Sequence, residues 1–173
     1  MRALKIFFPL ILAWIVYLLQ YFDIILYGAF SVGKSNGWTS IFTGVFFHGN
    51  FQHLIGNTQG LLAFLPLTYV FYRKSFLPLV LCGLFVPALF SYMGGPNVIG
   101  ISGLVYALSW FLIFSGLLGK NLLRLLISVT LVIFFGKSLM MAVPPIGPTM
   151  GVAWHTHLYG LLVGLGFAIN KNV

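Results

Sequence analysis

Apolar residues run along this chain in long blocks, broken by short polar, basic or glycine- and proline-bearing gaps. The first block, 6–22, follows Arg2 and Lys5 and is almost wholly apolar. Residues 23–47 are mixed, with Gly28, Gly33, Lys34, Asn36 and Gly37 among scattered aromatics. They read as an extramembrane loop in which Trp38, Phe42, Phe46 and Phe47 suit a membrane interface. Further apolar blocks follow at 51–72, ending at Arg73-Lys74, and at 76–93, where Pro78 and Pro87 predict bends. Gly94-Gly95-Pro96-Asn97 is a turn signal. The last three blocks are 102–118, 122–143, stopped by Pro144-Pro145-Ile146-Gly147-Pro148, and 152–170. Each approaches the ~20 residues that cross a hydrocarbon core of ~30 Å. The pattern predicts six membrane-spanning helices.

Composition agrees. Of 173 residues, 60% are hydrophobic and 6% charged, against about 25% charged in a soluble domain. So few charges cannot cover a water-exposed surface, and the chain reads as one all-α integral membrane domain over residues 1–173. The first block exceeds the roughly 7–15 residues of a signal-peptide core and no A-x-A site follows it, so it is expected to stay as the first span. The net charge of +8 is a topological signal and not a nucleic-acid patch. Six spans put both termini on one side. If that side is the cytoplasm, Arg2, Lys5, Arg73, Lys74, Lys120, Arg124 and Lys171 lie inside, and only Lys34 and Lys137 lie outward. The same basic side has affinity for anionic membrane lipid. The one cysteine, Cys82, allows no intrachain disulfide and reads as a small buried hydrophobe.

This topology brings the polar residues to one depth. Ser102 opens the fourth span, His53 and Asn57 lie in the first turns of the second, and His155 and His157 lie near the start of the sixth. His48 just precedes the second span. Ionisable groups inside spans are costly and mark function. By helical phase, His53, Gly56, Asn57 and Gly60 share a stripe, as do Ser102, Tyr106 and Ser109, and His157, Gly160 and Gly164. His155 points some 200° away from His157. The Gly160-xxx-Gly164 stripe predicts close contact with another helix, taken to be the fourth at Gly103. That contact would carry His157 toward Ser102.

A serine hydroxyl is a weak nucleophile until a neighbouring base accepts its proton. A carboxylate commonly orients that base, but the one acid in the chain is Asp23, at the end of the first span. The expectation is therefore a Ser102–His157 dyad, with Asn57, His53 and the Ser102 N–H as donors toward a developing oxyanion.

Gly100-Ile101-Ser102-Gly103 with Tyr106 one turn on, His48-x4-His53-x3-Asn57, and His157-x2-Gly160-x3-Gly164 together resemble the rhomboid family of intramembrane serine proteases, in the family's order and over nearly the whole chain. The resemblance implies a six-transmembrane-helix bundle of the minimal bacterial type. It implies Ser102 as nucleophile and His157 as general base, with Tyr106 packed on the His157 ring. His53 and Asn57 would help form the oxyanion hole. Gly100 and Gly103 would allow close packing and backbone donation, and His48 would be a structural partner. The implied substrates are transmembrane segments of other proteins, cut near their outer membrane face, with no metal or organic cofactor. One departure is that Trp38 is followed by Thr39, where many members carry a Trp-Arg pair in the first loop.

Plainer readings stand beside these. Ser102 also suits a helix N-cap, His157 a satisfied interhelical histidine, His48 a structural hydrogen bonder, and Tyr106 ordinary core. Two other functions are weighed: an inactive relative that binds membrane segments, and a metal site built from His48, His53, His155 and His157. The second lacks HExxH and any glutamate. Nothing in the sequence bears on oligomeric state or on the physiological substrate.

Overall fold

The computed structural model describes residues 5–25, 31–141 and 153–170. Arg2, Gly28, the 144–148 proline run and Lys171 lie outside them. Among the described residues there are six long helices, α1 (Phe8–Tyr21), α2 (Phe51–Phe71), α3 (Arg73–Gly94), α4 (Ser102–Leu118), α5 (Leu122–Met141) and α6 (Trp154–Asn170). A one-turn helix, Ser40–Thr43, lies in the α1–α2 connection between two short 3-10 turns. Three of the helices, α2, α3 and α5, are long and apolar enough to cross a membrane, while α1 and α4 are shorter apolar helices.

The helix ends follow local chemistry. Pro9 stands at the start of α1, where its missing N–H costs nothing. Asn50 caps α2, its side-chain oxygen accepting the His53 N–H at 2.8 Å. Tyr72 alone separates α2 from α3, so the break falls one residue ahead of the Arg73-Lys74 pair and Arg73 begins the next helix. Its guanidinium lies over the Tyr69 ring at 5.2 Å. Arg124 of α5 donates to the Phe71 carbonyl at 3.3 Å and sits 4.6 Å over the Tyr72 ring. A cation there meets the negative end of α2 and satisfies one of its orphan carbonyls.

Helix α4 is the centre of the bundle. Thirteen of its 17 residues are buried, as expected of a helix apolar all round, and its most extensive contacts are with α6. Side chains removed at the crossing explain the closeness. A Cβ on Gly160 would lie 2.5 Å from the Gly103 carbonyl oxygen, and one on Gly164 would collide with that of Ala107. On the other side of α4, Gly116 faces the α5 backbone at Arg124, and Ser128 Oγ lies 2.8 Å from the Ile113 carbonyl. By contrast α5 exposes Leu122, Leu126, Ile133 and Phe134 and packs at the periphery.

The 31–50 segment differs from the interfacial loop that its composition suggests. Trp38 and Phe42 are exposed, but Phe46 and Phe47 are buried together with Val32 and Val45. The cause is a layer of backbone bonds beneath the loop. Val32 and Val98 exchange N–H···O bonds of 2.8 and 3.1 Å, and Gly100 donates to the Gly44 carbonyl at 3.2 Å. The segment therefore has a small core of its own, pressed onto the α3–α4 connection.

Candidate active site

Ser102 is the first helical residue of α4, and the cap position belongs to Ile101. Its hydroxyl thus makes no capping bond and is available elsewhere. Ser102 Oγ lies 3.0 Å from His157 Nε2, both side chains buried. The Gly160–Gly164 seam brings α6 close enough for this, and Gly103 contributes from the opposite face, where a Cβ would meet Pro87 of α3 at 3.0 Å. Tyr106, one turn down α4, stacks on the His157 ring with centroids 4.1 Å apart and planes 6° apart. Its hydroxyl donates to the Leu139 carbonyl of α5 at 3.3 Å, which holds the ring from its far end. The Ser109 hydroxyl bonds the Tyr106 carbonyl at 3.0 Å and does not reach the site.

A second constellation comes from α2 and the residues before it. His48 is 1% exposed. Its Nδ1 lies 3.1 Å from the Phe46 carbonyl, so that nitrogen carries the proton, and Nε2 accepts from the Asn57 amide at 3.0 Å. Asn57 has two amide hydrogens, so one N–H remains after His48 has taken the other. Burial first, and then the charge of His53, hold His48 well below its usual 6.5, at about 4, against a smaller opposing pull from the Phe46 carbonyl. At neutral pH the ring is uncharged, as its acceptor role toward Asn57 requires. The His53 ring meets His48 edge-on at 5.0 Å and closes over Gly100. Gly100 has φ +107, and a Cβ there would stand 2.7 Å from His53 Cε1. Backbone conformation and space both demand glycine at that position.

Gln20 of α1 brackets the same histidine through its main chain, accepting the His48 N–H at 3.3 Å and donating to the His48 carbonyl at 3.4 Å. Sequence reasoning did not find this clamp, because no periodicity links α1 to a loop residue 28 positions on.

The two constellations face one cavity of about 900 Å³, lined by Ser102, His157, His53 and Asn57 together with apolar groups of α4 and α5. It can admit an extended peptide. His155 is apart from it, stacked on Trp154 at 3.5 Å. Asp23 is exposed past the end of α1 with φ 54, and supplies no carboxylate to the buried pair. Among the described residues no group of three or more His, Cys, Asp or Glu side chains gathers as a metal site.

Comparison with known proteins adds the family. A family model described as Rhomboid domain matches residues 35–170, more than half of the chain. An uncharacterized protein of Mycobacterium bovis and uncharacterized proteins of two Mycobacterium tuberculosis strains are each 28% identical to it over 140 residues. The matched stretch is 76% of this chain and 58% of each relative, so the chain spans little more than half the length of the curated proteins it resembles.

Proposed function

Because the chain belongs to the rhomboid family of membrane proteins, we propose that it is an intramembrane serine endopeptidase which cleaves transmembrane segments of other proteins. In this reading Ser102 Oγ attacks the scissile carbonyl while His157 Nε2 takes its proton. The oxyanion that forms is met by the free Asn57 N–H, by His53, and by backbone N–H groups at the start of α4, which have no intrahelical acceptor. His157 then returns the proton to the leaving amine. A water molecule, deprotonated by His157, hydrolyses the ester and restores the hydroxyl. Tyr106 lies face-on to the imidazole and favours its transient positive charge. No cofactor enters these steps.

The observation that carries the proposal is the 3.0 Å Ser102–His157 contact at a cavity that also holds an unused amide donor. It weighs against an inactive binder, which has no need of a hydrogen-bonded serine and histidine. The accompanying arrangement is a single rhomboid-type domain of six spans in a cytoplasmic membrane, with both termini inside, the cavity toward the outer face, and surrounding lipid and substrate helices as partners. Ser102→Ala and His157→Ala are each expected to abolish cleavage of a single-span test substrate in detergent while leaving the unfolding temperature within a few degrees. Full activity in either variant would refute the dyad. Covalent labelling of Ser102 by a fluorophosphonate checks the nucleophile directly.

A further inference from the structure

One face of α2 carries polar groups that neither the fold nor the proposed chemistry uses. Gln52, Gly56 and Gln59 recur at i, i+4 and i+7 and so share a stripe. All three are exposed and line the cavity. Neither carboxamide has a hydrogen-bond partner among the described residues. A Cβ on Gly56 would meet nothing within 4 Å, so the space between the two glutamines is open. Gln59 is the unusual member. It lies eight residues along α2 from Phe51, about 12 Å into the membrane layer from the helix start. An exposed amide at that depth is costly in lipid unless something hydrogen-bonds to it.

The position says what that partner is. Gln59 sits about 160° around α2 from Asn57, on the rim of the cavity where Asn57 is on its inner wall. It is six residues, about 9 Å, deeper than His53, the residue that closes over Gly100 beside Ser102. A transmembrane substrate must leave its helical form for a peptide bond to reach Ser102. Unwinding frees main-chain N–H and C=O groups, and in hydrocarbon each of these needs a partner. A glutamine carboxamide offers one donor group and one acceptor in the same plane, as a peptide group does.

Resting on the protease reading, we propose that Gln59 is a specificity-determining residue that hydrogen-bonds the unwound main chain of the substrate, on the side of the scissile bond still within the membrane. Gln52, in the first turn of α2 and within reach of water, is not required for this. Gly56 leaves room for the chain to pass.

The test compares Gln59→Met with Gln52→Met on two substrates. One is a single-span Leu/Ala helix with a Gly-Ser pair in its outer third. The other is a water-soluble decapeptide with the same residues around the cut; it ends two residues past the cut on the side that would lie in the membrane, and so falls short of Gln59. Gln59→Met is expected to lower kcat/KM on the single-span substrate roughly 3- to 10-fold, the worth of one hydrogen bond. The decapeptide rate, the fluorophosphonate labelling of Ser102 and every Gln52→Met value should stay as in the wild type. Equal losses on both substrates, equal losses in both variants, or no loss at all would overturn the proposal. In a Ser102→Ala background, weaker binding of the single-span peptide by Gln59→Met supports it independently of turnover. That arm separates its failure from failure of the protease reading, which unlabelled Ser102 in the wild type would indicate.

Discussion

His48 touches no reacting atom in the proposed mechanism, yet it sets the amide that does. Its two nitrogens are divided between the Phe46 carbonyl and the Asn57 side chain. Protonation would turn Nε2 from acceptor to donor and push the Asn57 N–H away. Because the folded state holds His48 at about 4 against 6.5 when exposed, the unfolded chain binds the extra proton first as pH falls. Stability is therefore full above pH 6.5 and declines between 6.5 and 4, by up to about 3 kcal/mol for this one group. Thermal unfolding at pH 7 and 4.5 should show the loss in the wild type and a flatter profile in His48→Leu; parallel profiles would count against His48 as its source. The sequence alone had His48 as a structural partner in a motif. The tie to Asn57 was not legible, since it depends on a loop path. By comparison the approach of Ser102 and His157 was legible, because helical phase and a glycine stripe both bear on it.

Among the elements, the α4–α6 crossing controls the site. Gly160 and Gly164 press backbone against backbone at Gly103 and Ala107, and rigid main chain cannot yield as a side chain can. Gly164→Val should destabilise the protein by about 1–3 kcal/mol through overpacking and lower the rate of Ser102 labelling. Gly166 is two residues on and has nothing within 4 Å of a Cβ position, so Gly166→Val serves as the neutral control. Comparable unfolding temperatures and labelling rates in the two variants would sink the idea. Such a seam can be read from spacing alone, since a small-xxx-small stripe in lipid has few other uses. The burial of Phe46 and Phe47 could not be read this way. It arises from the Val32–Val98 and Gly44–Gly100 bonds, which join segments with no shared period.

For the molecule as a whole, the charges of the turns follow the bundle. Arg124 reaches the Phe71 carbonyl, so the α2–α3 and α4–α5 turns lie at one end and bring Arg73, Lys74 and Lys120 to the same side. Lys34 belongs to the loop joined to the α3–α4 connection at the other end. In the proposed orientation, with both termini inside, a Ser35→Cys variant lacking Cys82 should react with an impermeant maleimide on intact cells. Lys120→Cys should react only after permeabilisation, and the reverse pattern would invert the proposed orientation. Block lengths in the sequence foretold the helices, but they did not foretell how unequally the helices are buried. That inequality depends on which helix the others enclose.

The cavity has a further consequence. Hydrolysis consumes a second reactant that the surrounding lipid excludes. A volume of about 900 Å³ is many times the ~30 Å³ that one water occupies in the liquid. In the proposed reaction, a substrate chain that fills only part of this space leaves room beside the ester for the water that hydrolyses it. On that reading the cavity gives the nucleophile of the second half of the reaction a place to wait, inside a layer that otherwise has almost no water.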